Sequence, residues 1–130
     1  MSAPKRIQLR RTKGWRKPPG VIVCTRPHSP YANPFRVVYL GPRRWQCNDA
    51  IWPTKAKASA EAARLFRAWI LDDHLPSSIR ERTWAPLFFG AARDRILNDA
   101  PHLLRGHDLA CWCALDAPCH VDTVLEVANR

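Results

Sequence analysis

Leu109-Ala110-Cys111-Trp112-Cys113-Ala114-Leu115-Asp116-Ala117-Pro118-Cys119-His120 is the stretch on which the fold turns. Leu109 to Cys113 is compact and apolar and reads as a short buried strand, with Cys111 and Cys113 on one face and Trp112 on the other. Pro118 reads as the first residue of a helix running to about Ala128, because its missing N–H does no harm at that position. Asp116 or Ala117 then falls near the cap, and Cys119 and His120 fall in the first turn. Val121, Val124, Leu125 and Ala128 follow at helical spacing, a stripe for a core. A strand edge that opens onto a helix N-terminus is where α/β proteins build their sites.

Upstream, Gly20-Val21-Ile22-Val23-Cys24 is a β-branched run that reads as a central strand. If it lies parallel to the last strand, their C-terminal ends share one sheet edge. That arrangement brings Arg26 and Asn33 toward Cys119 and His120. The segment Thr25 to Phe35 is a proline-fixed loop, and Arg36 to Leu40 is a second strand or an extended edge. Residues 41–57 read as an irregular basic insertion holding Arg43, Arg44, Trp45, Cys47 and Trp52. Ser59 is the expected N-cap of a helix over 60–73, whose Ala62, Ala63, Leu65, Phe66, Trp69 and Ile70 form an apolar stripe. Residues 77–90 are ambiguous, with Trp84, Leu87, Phe88 and Phe89 expected to fill core. Ala91 to Asp99 has a second helical pattern, and His102 to Gly106 reads as a turn into the last strand. The sum is one small layered α/β domain over 20–130, with a short, mostly parallel sheet flanked by helices.

Composition bounds the class. A chain of 130 residues is one domain by default and can bury a single core. Twelve prolines against five glycines point to fixed loops, and six tryptophans exceed what a small core needs. No apolar run of about 20 residues is present, which argues against a membrane-spanning helix and a membrane partner. The basic N-terminus has no apolar run behind it, unlike a secretory signal. Five cysteines, an odd number with three clustered, fit a reducing cytoplasmic compartment better than a disulfide scaffold.

The net charge of +10 is unevenly placed. Residues 1–57 hold 13 Lys/Arg and one acid, Asp49, for +12; residues 58–130 hold 8 Arg and 10 acids, for −2. The front half therefore expects an anionic partner. Residues 1–19, with Lys5, Arg6, Arg10, Arg11, Lys13, Arg16 and Lys17 and no acid, read as an arm that self-repulsion keeps disordered. Either it contacts phosphates, together with Arg43 and Arg44, or it is a solubilising tail.

The Cys/His run admits three chemistries. Cys111, Cys113, Cys119 and His120 match zinc in number and softness. Their spacing is unusual, since adjacent residues in a helical turn diverge by about 100°. Alternatively Cys119 is a thiol polarised by the helix N-terminus, with His120 as proton donor or anion contact and Asp122 orienting a base. The third possibility is plain packing, because free cysteine is among the most buried residue types. Cys24 and Cys47 are read as structural. Arg26 offers a planar fork for phosphate or carboxylate. Asn33 either joins it or simply caps a turn.

With Arg26, Asn33-Pro34-Phe35, Phe66-Arg67-x-Trp69, Leu103-Leu104-Arg105-Gly106-x-Asp108-Leu109-x-Cys111-Trp112-Cys113 and Pro118-Cys119-His120-x-Asp122-x-x-Leu125 in place, the chain resembles domain-of-unknown-function family 4326 over about residues 20–129. The family occurs largely in bacteriophages and bacteria. The chain departs from it at Ala32 and Val121, where the family has glycine, and in the longer segment 41–57. The resemblance implies a shared small α/β fold and a shared Arg/Asn/Cys-His site. The combined expectation is a pocket lined by Arg26, Asn33, Cys119 and His120, with Cys111, Cys113 and Asp122 in support. It would take a nucleotide, nucleoside or nucleic-acid end, with group-transfer or glycosidic-bond chemistry as the enzymatic form. A non-enzymatic nucleic-acid binder and a zinc-stabilised structural domain are the alternatives.

Overall fold

The computed structural model describes residues 3–130. Six strands and four helices follow one another as β1 (Arg6–Gln8), β2 (Ile22–Val23), β3 (Val37–Gly41), β4 (Arg44–Cys47), β5 (Ala50–Trp52), α1 (Lys55–Asp72), α2 (Ser77–Arg80), α3 (Ala85–Asp99), β6 (Leu109–Cys111) and α4 (His120–Ala128). The strands form two sheets. One has the order β1-β6-β2 and is parallel throughout; the other is the antiparallel meander β3-β4-β5. The fold is therefore mixed α/β, with the expected short parallel sheet and a second sheet beside it.

The last strand is the centre of the parallel sheet. Ile22 pairs with Leu109 and Val23 with Ala110 on one side; Arg6, Ile7 and Gln8 pair with Leu109, Ala110 and Cys111 on the other. All three β6 residues are buried, as a central parallel strand requires. The expected pairing of the Val21–Cys24 strand with the last strand is present. The expected wholly disordered arm is not: residues 6–8 are an edge strand, and Leu9 N–H continues the ladder to the Cys111 carbonyl at 2.8 Å. Ile7 and Leu9 alternate with polar neighbours, and β6 offers them an open edge, so pairing outweighs charge repulsion.

Residues 41–57 are likewise not irregular. Val37 pairs with Cys47 and Tyr39 with Trp45, while Trp45 pairs with Trp52 and Cys47 with Ala50. Val37, Trp45, Cys47 and Trp52 thus share the face turned to the core, and Val38, Gln46 and Ile51 share the other. The β4–β5 turn uses Asn48 at φ 55°, a left-handed conformation that asparagine tolerates.

Helix α1 starts earlier than Ser59. Thr54, extended at φ −134°, accepts from the Lys57 N–H at 3.2 Å, and the alanine-rich turn that follows is a strong helix former. Of its expected stripe, Ala62, Leu65, Phe66, Trp69 and Ile70 are buried, while Ala63 is half-buried. Phe35, Phe66, Trp69 and Phe89 meet edge-to-face or tilted at centroid distances from 5.5 to 6.1 Å and form the aromatic heart of the core. Residues 77–90 resolve into α2 and the start of α3. Of the four side chains expected to fill core, Phe89 does so, while Trp84, Leu87 and Phe88 are exposed. The expected turn at His102 is a π-helical continuation of α3 over Ala100–Leu104, followed by Gly106 at φ 81°. The Gly106 N–H and the Arg105 guanidinium hold the end of α4, through Asn129 Oδ1 at 3.0 Å and the Ala128 carbonyl at 3.2 Å.

Candidate functional site

Helix α4 begins at His120, not at Pro118. Cys119 is its N-cap, with extended backbone at φ −148° and ψ 147°. Asp122, three residues on, accepts from the Cys119 N–H at 3.3 Å, as in a capping box. An extended Cys119 is free of the helical screw, so its side chain and that of His120 need not diverge by a helical step.

This local geometry gathers the thiols. Cys111 at the end of β6, Cys113 just beyond it, and Cys119 at the cap have their sulfurs all within 4.8 Å of one another, and Cys111 Sγ lies 2.9 Å from Cys119 Sγ. Cys111 and Cys119 are buried and Cys113 is half-buried. Trp112 points the other way and is exposed, as alternation predicts. Within the trio the Cys113 thiol is held far below the ordinary thiol range, because Cys111 and then Cys119 donate hydrogen bonds to its sulfur. Cys111 is pushed up by the same sharing with Cys113 and by burial.

His120 closes one side. Its Nε2 is 2.9 Å from the carbonyl oxygen of Cys24, its Nδ1 is 3.7 Å from Cys119 Sγ, and Phe66 meets the ring edge-to-face at 5.1 Å. A carbonyl can only accept, so Nε2 carries the proton and Nδ1 presents a lone pair toward Cys119.

The cation at this site is Arg6. Its side chain is only 7% exposed. Nε lies 3.3 Å from Asp122 Oδ1, and Nη2 donates to the Leu115 and Ala117 carbonyls at 3.0 and 2.7 Å. Nη1 is buried without a hydrogen-bond partner. Burial works to lower the Arg6 pKa, but Asp122 and Cys119 outweigh it and the net shift is upward. Neither phosphate contact nor a solubilising tail describes Arg6: strand β1 buries its side chain against α4 and the loop before it. The alternation of Ile7 and Leu9 about Gln8 was the only sequence signal, and it is short.

Arg26 and Asn33 hydrogen-bond to the loop and to α1. The Arg26 guanidinium is exposed at the residue level and donates to the Asn33 carbonyl at 2.8 Å. Asn33 Nδ2 donates to the Ala62 carbonyl on α1 and its Oδ1 accepts from the Phe35 N–H, so this side chain ties the loop to the helix. None of these bonds reaches a thiol. Two cavities open at other places. One of about 270 Å³ is lined by Cys47, Asp49, Glu61, Arg64 and His74, and one of about 450 Å³ by Pro4, Gly20, His107 and Asp108. The hollow expected between Arg26 and the Cys119–His120 pair is neither of these.

The basic residues divide. Lys5 is fixed by its backbone, donating to Asp108 Oδ1 at 2.9 Å, and Lys17 Nζ donates to the Val21 carbonyl. Arg10, Arg11, Lys13, Arg16, Arg43 and Arg44 are exposed. Arg11 sits over the Trp112 ring at 4.7 Å, and Lys55 over the Trp45 ring at 5.9 Å, where Tyr39 also packs at 4.7 Å. Cys24 and Cys47 are fully buried, and burial pushes their thiols up to about 12 and about 11. No helix of the described residues is long and apolar enough to cross a membrane.

Fold and site together define a small mixed α/β domain with a thiol–imidazole–guanidinium cluster at the joint of its central strand and last helix. The model of a domain of unknown function, DUF4326, matches residues 7–130, and the chain belongs to this family. The match begins at Ile7, inside β1 and one residue after Arg6. No curated protein and no solved structure matches the chain.

Proposed function

We propose that this protein binds nucleic acid on the surface of its front half, without a small-molecule pocket at the thiols. One observation carries the reading. Of the 13 Lys/Arg in residues 1–57, only Arg6 is in an ion pair among the described residues. Apart from Lys17 and Arg26, which donate to backbone carbonyls, the other cations have no polar side-chain partner among the described residues and suit an external anion. Two of them lie on aromatic rings, at Trp112 and Trp45, and partly exposed rings of this kind stack on unpaired bases. The expected nucleotide pocket has less support, since neither cavity described is lined by Arg26, Asn33 or His120. Five free thiols fit a reducing cytoplasm, and the family resemblance fits a phage or bacterial one.

The test is titration of labelled single-stranded and duplex oligonucleotides at several salt concentrations. Each phosphate contact gives a slope of about 0.9 in log affinity against log salt, and the Arg43→Ala/Arg44→Ala pair should flatten it by about 2. Charge substitutions are the right probe, because deleting residues 1–19 would also remove β1. If anionic vesicles bind as tightly as oligonucleotides, or if binding ignores salt, the reading fails.

A further inference from the structure

We infer that Cys111, Cys113, Cys119 and His120 Nδ1 form a structural zinc site. It stands on observations separate from the nucleic-acid reading. Three thiols converge from two elements, the end of β6 and the cap of α4, with all sulfurs within 4.8 Å. Tetrahedral zinc with bonds of about 2.3 Å to sulfur and about 2.0–2.1 Å to nitrogen sets ligand edges of about 3.6–3.8 Å. The Cys119 Sγ–His120 Nδ1 edge is 3.7 Å, already of that length, while His120 lies outside the group of atoms within 4.8 Å of one another, so Cys111 and Cys113 must draw in toward its Nδ1 around an ion. The Cys111–Cys119 edge of 2.9 Å is shorter and must open around an ion.

The surroundings are those of a metal histidine. The Nε2 proton of His120 is spent on the Cys24 carbonyl, which fixes the tautomer with Nδ1 free. Phe66 holds the ring plane. Arg6 supplies the remaining argument. Its guanidinium is almost wholly buried, and one nitrogen lacks a partner. Zinc with three thiolates and one neutral imidazole carries a net charge of −1, and the Arg6 guanidinium, shared with Asp122, is the cation that offsets part of the combined negative charge. The three thiols release their protons on binding, so affinity rises with pH. Soft sulfur ligands and tetrahedral geometry favour zinc over magnesium or calcium.

The experiment uses the full chain purified without chelator, with metal analysis and replacement by cobalt. The expected result is one zinc per chain, and a cobalt form with a thiolate charge-transfer band and tetrahedral visible bands. Cys24→Ala and Cys47→Ala should keep one zinc. Cys113→Ser should lose tight binding, and Arg6→Met should weaken zinc by about 10–100-fold. His120→Ala should keep the thiolate band but weaken zinc more than Arg6→Met does. Should Cys113→Ser fail to fold, chelator titration of the unmodified chain decides instead: zinc release must unfold it and added zinc must refold it. A folded chain without stoichiometric zinc, a cobalt form lacking the thiolate band, or a Cys111–Cys119 disulfide in the purified protein overturns the site.

Discussion

The imidazole of His120 is hydrogen-bonded through Nε2 to the backbone carbonyl of Cys24 at 2.9 Å, joining the first residue of α4 to the residue that follows β2. Both groups are buried, so the bond has no water to replace it. His120→Leu leaves the carbonyl unpaired, which costs about 1–3 kcal/mol, and any loss of bound zinc adds to it. Urea unfolding of the two proteins should show that cost in the midpoint with little change in slope. An unchanged midpoint would remove His120 from the list of fold-defining residues.

Arg6 and Asp122 join β1 to the cap of α4. Removing the guanidinium also frees the Leu115 and Ala117 carbonyls, so Arg6→Met should destabilise by about 1–3 kcal/mol. Asp122 is 54% exposed, and Asp122→Asn should cost less, about 0.5–1 kcal/mol. A double-mutant cycle should return a coupling between them. Strict additivity would mean that Arg6 acts through the two carbonyls alone.

The alkaline side of the stability curve should be set in part by the two structural thiols. Burial lifts Cys24 to about 12 and Cys47 to about 11 in the folded chain. An exposed unfolded thiol titrates near 8.5. A raised folded value gives stability that is fully present below the unfolded pKa and lost as pH rises toward the folded one. Stability should therefore fall between about pH 8.5 and 11. Cys47→Ala should flatten that fall, as read by denaturant unfolding at stepped pH, and equal slopes for the two proteins would contradict the assignment.

How much of this could be read beforehand follows local physics. The β6–α4 joint was legible because an apolar run, a proline and a helical stripe lie within a few residues, and its parallel neighbour was legible because β2 is β-branched. Arg6 was not, because a run of cations masks a two-residue alternation and the edge it pairs with lies 103 residues away. The antiparallel sheet was hidden for another reason. Arg43, Arg44 and Pro42 break the pattern at a hairpin, and Val38, Tyr39 and Leu40 are exposed rather than alternating. Arg26 donates to the Asn33 carbonyl within its own loop, a local bond that residue type alone could not foretell.

On the surface, Arg11 over Trp112 is the pair to separate charge from stacking. Arg11→Ala should weaken oligonucleotide binding and reduce its salt slope by about 1, whereas Trp112→Ala should weaken it by about 1–3 kcal/mol at unchanged slope. Fluorescence titration reads both. Identical slopes and affinities in all three proteins would place the nucleic-acid surface elsewhere.

Most turns on the cluster that β1, β6 and α4 build around Cys111, Cys113, Cys119 and His120. X-ray absorption at the zinc edge on the full chain measures it directly. Three sulfur neighbours at about 2.3 Å and one nitrogen at about 2.0–2.1 Å are the predicted shell. A bound zinc whose shell holds only nitrogen and oxygen, or fewer than three sulfurs, would contradict it.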